Sequence, residues 1–225
     1  MSAGWSAENA KRAYLQALKM AKRGKEPDVS EFISALAAGK NARFMVAVCA
    51  GAAGSTTLAL AAAARQTGGR AVCICRSPNE QQASRKALGA YGDSVEFVVG
   101  DARTLLLGEY RGSDFVLVDC DMTNAREVFM AAFKGAKKDD NRALVVGYNV
   151  RHRVSKWRQM KASFLPIGEG LLVTKVDSNN NNIVKSLEKV EQRRKSNWIV
   201  KVDKCTGEEH IFRVTYPNKK LQIEV

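Results

Sequence analysis

The chain has 225 residues, enough for one ordinary domain or a domain with an appendage. Lys and Arg number 36 against 23 Asp and Glu, a net charge of +13, and apolar residues make up 45% of the chain. This balance excludes wholesale disorder and predicts attraction to polyanions, but it specifies no fold.

Ser6 is suited to cap a helix running to about Arg23, with Ala10, Tyr14, Ala17, Leu18 and Ala21 along one stripe. Lys22 to Pro27 breaks it. The capping-box spacing of Asp28 and Glu31 opens a second helix, which Gly39 stops after Ala38, so a helical segment covers 6–39. The period then changes. Phe44 to Ala50 is a continuous apolar run, the pattern of a strand buried on both faces. Gly51-Ala52-Ala53-Gly54 turns into a helix from Ser55 to Gln66, closed by Gly68 and Gly69. A strand from Ala71 to Cys75, a helix from Asn79 to Leu88 and strands Val95 to Val99 and Phe115 to Asp119 follow. A helix from Asn124 to Lys134 and a fifth strand, Ala143 to Gly147, complete the series. This alternation predicts right-handed crossovers and an α/β, Rossmann-like, doubly wound and mostly parallel sheet.

Phe164 to Thr174 reads as two strands joined at Gly168-Glu169-Gly170, an antiparallel edge pair. Beyond Val176 the composition shifts, and residues 177–182, with four consecutive asparagines, form a linker. A short basic helix with Ile183, Leu187 and Val190 on one face is expected next. Trp198 to Asp203 and His210 to Tyr216 then form a hairpin around Cys205, Thr206 and Gly207. The expected organisation is a domain over 1–176 and a basic C-terminal extension over 177–225. Residues 151–225 hold 16 Lys and Arg against 8 Asp and Glu, so most of the excess charge lies after the fifth strand.

The five cysteines give no paired metal-binding spacing. Cys49, Cys73, Cys75 and Cys120 sit in apolar runs as small hydrophobes, which suits a reducing compartment. From the polar N-terminus no signal peptide is expected, and the longest apolar run, Leu58 to Ala64, is too short to span a bilayer. The expectation is a soluble protein of the cytoplasm or the nucleus without a membrane partner.

In open α/β sheets ligands bind outside the carboxyl ends of the strands. After the first strand, Gly51 and Gly54 permit close backbone approach, and the helix from Ser55 offers N–H groups to an anion. The loop is neither GxGxxG nor a P-loop, and a turn needing glycine for packing alone fits the same residues. Cys75 ends the second strand. Gly100-Asp101-Ala102 follows the third, Asp119-Cys120-Asp121 the fourth and Gly147-Tyr148-Asn149 the fifth.

This succession, with Leu165-Pro166-Ile167-Gly168-Glu169-Gly170-Leu171 near the end, resembles the class I S-adenosylmethionine-dependent methyltransferases. The likeness is strongest to small O-methyltransferases of the catechol and caffeoyl-coenzyme A type, over about Asp28 to Val176. Gly4-Trp5-Ser6, Glu8-Asn9-Ala10, Ala13-Tyr14-Leu15 and the stretch from Glu26 to Gly39 resemble a plant family of uncharacterised methyltransferase-like proteins across essentially the whole chain.

The resemblance implies S-adenosylmethionine as cofactor, at Gly51, Gly54, Ser55, Cys75, Gly100, Asp101, Ala102 and Asp119. The chain departs from the pattern in specific places. No acid lies between Phe44 and Thr57 to hold the methionine moiety. Cys75, with Arg76 beside it, stands where an acid binds the ribose hydroxyls, and Glu80 reaches that place only from the next helix. Asp101 either contacts the adenine amine or caps the segment Ala102 to Leu106.

In cation-dependent relatives two aspartates and an asparagine hold a divalent ion. Asp119 and Asn149 align with two of these, but Tyr148 replaces the second aspartate and Met122 the catalytic lysine. Asp121 is a stand-in ligand, or Asp119 and Asp121 simply cap the following turn. No metal site is expected.

The catalytic candidates are Asp119, Asp121 and His152, the last as general base. Arg151, Arg153, Lys156 and Arg158 around it suit a small or anionic acceptor, with Trp157 stacking on a ring. Alternatively they form a solvated basic loop with Trp157 packed on the core. Arg193, Arg194 and Lys195 suit phosphate contacts with nucleic acid or another polyanion, without sequence reading. Two functions follow: a methyltransferase, or a catalytically degenerate domain that binds a ligand, partner or polyanion.

Overall fold

The computed structural model describes residues 5–20, 29–136, 143–150, 157, 162–176, 196–202 and 209–215. The elements of the first unit, in chain order, are α1 (Ala7–Met20), α2 (Val29–Gly39), β1 (Phe44–Val48), α3 (Ser55–Thr67) and β2 (Arg70–Cys75). Next come α4 (Pro78–Leu88), β3 (Glu96–Val99), α5 (Ala102–Leu107), β4 (Phe115–Asp119) and α6 (Ala125–Gly135). Strands β5 (Leu144–Tyr148), β6 (Ser163–Leu165) and β7 (Leu171–Lys175) complete it.

The seven strands form one sheet in the order β3-β2-β1-β4-β5-β7-β6. The first five are parallel, while β7 runs antiparallel to β5 and β6 antiparallel to β7. The α/β, doubly wound, mostly parallel sheet expected from the alternation is present, with an antiparallel pair at one edge. Strands β4 and β5 are buried at every position, which is why their sequences are continuous apolar runs rather than alternations.

Alanine sets the thickness of the helical layer on one face. Ala59 and Leu60 to Ala64 of α3 are all buried. A helix that is apolar all round must be covered all round, and α3 packs against β1 and β2 on one side and α1 and α2 on the other. Ala13 and Ala17 of α1, with Ala37 and Ala38 of α2, supply small side chains to this layer. Gly68, at φ 64°, closes α3 in the left-handed conformation that costs other residues about 1 kcal/mol or more.

Two carboxylates fasten the central strands at opposite ends. Oδ2 of Asp114 accepts the N–H groups of Arg43 and Phe44, both at 3.0 Å, where β1 begins. At the other end Asp119 Oδ2 accepts the Ala50 N–H at 3.2 Å. Strand β1 therefore stops at Val48 rather than reaching Ala50, because the Ala50 amide leaves the ladder for a side chain. Residues 21–23, expected to extend the first helix, lie outside the described residues.

Contacts divide the chain into two units, Met1–Asn180 and Asn181–Val225. In the second, β8 (Ser196–Val202) pairs antiparallel with β9 (Glu209–Thr215), from Ser196 opposite Thr215 to Val202 opposite Glu209. The linker 177–182, the basic helix expected after it and the turn at 205–207 lie outside the described residues. Among the described residues no helix is long and apolar enough to cross a membrane.

Candidate functional site

The carboxyl ends of β1, β2, β3 and β4 bring the loops at 50–55, 76–80, 100–102 and 119–121 to one edge of the sheet. Asp119, the last residue of β4, is 8% exposed and organises this edge. Its Oδ2 accepts the Tyr148 hydroxyl at 3.0 Å and the Ala50 N–H. Its Oδ1 accepts the Asn149 side-chain amide at 3.0 Å and the Asp121 N–H at 3.1 Å. Burial pushes the Tyr148 phenol well above its ordinary range, with Cys49 and the Asp119 carboxylate adding to the shift. Tyr148 is therefore held as a proton donor to Asp119. Asn149 sits at φ 59°, a left-handed conformation in which its amide meets the same carboxylate.

The glycine loop hangs between this carboxylate and α4. Ala53 donates its N–H to Ser84 Oγ at 2.8 Å, and the Ser84 hydroxyl donates to the Glu80 carbonyl at 2.6 Å. Gly54 starts α3 without a side-chain cap, and its carbonyl accepts from Thr57 and Leu58. The N–H groups of Ser55 and Thr56 have no partner among the described residues. A Cβ built on Gly51 or on Gly54 meets no atom within 4 Å. The two glycines thus border open space rather than a packed neighbour, and the loop forms a cradle beside free helix amides.

Beside the cradle, the thiols of Cys73 and Cys75 on β2 lie close to that of Cys49, just past β1. Hydrogen bonding to Cys49 and Cys75, and then burial, push the Cys73 thiol up, and the Cys73 contact draws Cys75 down to about 7. Cys75 Sγ lies 3.9 Å from Ser84 Oγ. Arg76 then turns out of the sheet. Its Nε and Nη2 donate to Glu80 Oε1 at 3.0 and 2.6 Å, and its backbone N–H donates to Oε2 at 2.9 Å. Nη2 also reaches the Ala50 carbonyl, bridging the ends of β1 and β2. Burial would raise the Glu80 carboxyl, but the Arg76 contacts outweigh it and hold the group below its ordinary range.

The Gly100 N–H donates to the Cys75 carbonyl at 3.0 Å, tying the end of β3 to that of β2. Asp101 caps α5. Its Oδ1 accepts the Thr104 N–H and hydroxyl, both at 2.9 Å, and Arg103 lies 3.5 Å from Oδ2. The Thr104 N–H is the main cause of an Asp101 pKa below its usual range. Of the two roles open to Asp101 in the sequence, the cap is the one its contacts display, and Ala102 is buried at the start of α5.

Asp121 is exposed, and its N–H completes the turn closed by Asp119. Met122 is buried in the core rather than presented to the edge. Trp157 is also buried, edge-on to Phe129 with ring centroids 5.0 Å apart, so it packs on the core instead of awaiting a ring. His152, with Arg151, Arg153, Lys156 and Arg158, lies outside the described residues.

A divalent ion needs lone pairs from its ligands. Asp119 spends its oxygens on four donors, and the position beside Asn149 offers the Tyr148 hydroxyl instead of a carboxylate. These residues do not fit a metal. Among the described residues no group of three His, Cys, Asp or Glu is placed to hold one.

Sequence reasoning missed Ser84, a serine in the middle of α4 whose partner lies 31 positions away. It also marked Arg76 only as the neighbour of Cys75. The spacing of Arg76 and Glu80, four apart, was the available signal for their pairing.

A five-stranded parallel sheet that ends in an antiparallel pair, with its candidate site at the carboxyl edge, is the class I methyltransferase fold. The chain is similar to a methyltransferase from Geobacter sulfurreducens, at 23% identity over 76% of this chain and 90% of that one, with a TM-score of 0.51. It is similar also to the SAH-bound methyltransferase PaMTH1 of Podospora anserina, at 14% identity over 76% and 88%, with a TM-score of 0.55. No curated protein matches the chain in sequence. The chain belongs to DUF1442, a family described as proteins of unknown function, whose model matches residues 1–214.

Proposed function

We propose that the chain is an S-adenosylmethionine-dependent methyltransferase acting on a small or anionic acceptor. The glycine loop carries this reading. Gly51 and Gly54 border open space at the carboxyl end of β1, beside the unpartnered amides of Ser55 and Thr56. The fold shared with PaMTH1, whose structure is SAH-bound, supports the same ligand. The cradle fits such a cofactor: Gly51, Gly54 and Ser55 would hold it at the loop, with Cys75, Gly100, Asp101 and Ala102 toward the nucleoside. When bound, the cofactor supplies an electrophilic methyl group. The chain's own part is positioning. Asp119 fixes Ala50 and so the entry to the loop, and Ser84 fixes Ala53. In-line transfer needs mainly such positioning and a base near the acceptor. His152 is that base, Asp121 is the carboxylate at the sheet edge, and the cations at 151–158 favour an acceptor bearing phosphate or carboxylate.

Calorimetric titration of the full chain with S-adenosylmethionine and S-adenosylhomocysteine tests the reading. Saturable binding of both is expected. No heat and no thermal shift at millimolar ligand would sink it.

One observation favours a second reading, a binding module without catalysis. Glu80 and Asp119, the carboxylates at this edge suited to anchor the cofactor, are both occupied by internal donors. The basic extension would then contribute polyanion contacts. A retardation assay comparing the full chain with its Arg193→Ser, Arg194→Ser, Lys195→Ser triple variant checks this, with loss of the shift expected. Buried free thiols at Cys49, Cys73, Cys75 and Cys120 suit a reducing compartment, the cytoplasm or the nucleus.

A further inference from the structure

The end of β2 offers a ribose more hydrogen-bond donors than acceptors. Two hydroxyls need acceptors, and the carboxylate within reach, that of Glu80, has three of its four lone pairs taken: Oε1 accepts from Arg76 Nε and Nη2, and Oε2 from the Arg76 N–H. Cys75, at the strand terminus itself, is a buried thiol turned toward Ser84. What the position presents outward is mostly donors. The Arg76 side chain is 55% exposed, and its Nη1 has no partner among the described residues. The half-buried Ser77 accepts the Glu80 N–H through Oγ at 3.2 Å, which leaves its hydroxyl hydrogen to donate. Guanidinium and hydroxyl donors adjoin the open cradle of Gly51 and Gly54, because Arg76 Nη2 touches the Ala50 carbonyl at the entry to that loop.

In dinucleotide-binding α/β folds the residue type at this strand end decides what the ribose carries. An acid takes the free hydroxyls, and an arginine takes a phosphate esterified to one of them. We infer that β2 ends in a selector for a nucleotide bearing a phosphate on its ribose, at the 2′ or the 3′ position, with Arg76 and Ser77 as the recognising residues. The inference rests on the cradle being a nucleotide site, as in the preceding reading, but it does not rest on methyl transfer. Such a nucleotide competes with S-adenosylmethionine for the same cradle. The planar guanidinium suits the phosphate as a fork of donors, as a lysine would not. The Arg76–Glu80 ion pair is the counterweight, since the Glu80 charge opposes a second anion nearby.

The test titrates the full chain with adenosine 2′,5′-bisphosphate, adenosine 3′,5′-bisphosphate, AMP and S-adenosylhomocysteine. One bisphosphate is expected to bind about tenfold or more tightly than AMP, the yield of a charge-assisted contact. The preferred isomer tells which hydroxyl carries the phosphate. Arg76→Ala should reduce the preference to within about twofold, read as the ratio of bisphosphate to AMP affinity so that changes common to both ligands cancel. Glu80→Gln, which removes the opposing charge, should tighten the bisphosphate severalfold. Equal affinity for bisphosphates and AMP overturns the inference, as does an Arg76→Ala variant that keeps the preference. If Arg76→Ala does not fold, weaker bisphosphate binding by Glu80→Gln overturns it instead. Binding of S-adenosylhomocysteine without any bisphosphate preference removes this inference and leaves the methyltransferase reading. Binding of a bisphosphate alone does the reverse.

Discussion

The hydroxyl of Tyr148 donates to Asp119 Oδ2 across 3.0 Å, between the ends of two neighbouring parallel strands. At the place where the likeness to cation-dependent methyltransferases puts a second carboxylate, this chain has a donor. The pair is thereby self-sufficient, because the tyrosine hydroxyl occupies a lone pair of Asp119 that a cation would otherwise need. Tyr148→Phe removes one of four donors to a buried carboxylate and should destabilise the fold by about 1–2 kcal/mol. Urea unfolding of the variant and the wild type measures the difference.

Asn149 performs two tasks that substitution separates. Its left-handed φ of 59° is acceptable to glycine, whereas its side-chain bond to Asp119 is not replaced by either glycine or alanine. Asn149→Ala should therefore be less stable than Asn149→Gly by about 1 kcal/mol, the conformational difference alone. Equal midpoints and slopes in denaturant would show that the backbone relaxes there.

Two glycines should respond in opposite ways. A Cβ on Gly51 meets open space, so Gly51→Ala should leave stability within about 0.5 kcal/mol of wild type. The same methyl enters the cradle and should weaken S-adenosylhomocysteine binding about tenfold or more, a loss of roughly 1.4 kcal/mol. A Cβ on Gly135, near the end of α6, runs into the Leu106 carbonyl of α5. Gly135→Ala should overpack that contact and cost about 1–3 kcal/mol, read as a lower Tm.

Acid should loosen the helix starts that the site depends on. The pKa values of Asp101 and Glu80 are both lowered, by the Thr104 N–H and by Arg76 respectively, the latter against an opposing effect of burial. A carboxyl depressed on folding stabilises the native state above its unfolded pKa, about 4 for these residues. That stability is lost as pH falls through the folded value. Tm should therefore drop below about pH 4, and Asp101→Asn should flatten this limb.

Alkali acts on a different residue. Burial and the hydrogen bond to Glu96 raise the Tyr110 pKa to about 12. Stability from a raised phenol is complete below about pH 10 and is lost toward 12. Tyr110→Phe should remove this part of the alkaline transition in a Tm profile.

The sheet was legible because its strands are long apolar runs between glycine-bearing turns, and period alone separates Phe44 to Val48 from the helix after Ser55. Strand ends were less so. The exit of Ala50 from the ladder depends on Asp119, 69 positions later, and no local pattern contains it. Helix α5 was foreseen only as a capped segment, because six residues are too few for a periodic signal. At the site, order along the chain brought the right loops to the right edge. It did not tell whether the side chains there are free. Glu80 is taken by Arg76 and Asp101 by Thr104, and only the contacts reveal which donors and acceptors remain. Trp157 shows the same limit: its neighbours in sequence are cations, while its neighbour in space is Phe129.

Strand β1 lies between β2 and β4, and its second partner is far along the chain: Met45 pairs with Phe115. During synthesis the N-terminal helices, β1, α3 and β2 can assemble early, yet one apolar edge of β1 stays uncovered until β4 emerges from the ribosome. For that interval Met45 to Val48 is an open template for any passing strand. Mutations that weaken Asp114, which clamps the first residues of β1 from the start of β4, should therefore appear as lost yield during expression before they appear as lost stability of the finished fold. A residue at the far end of the sheet from the ligand cradle thus governs how many chains survive to possess one.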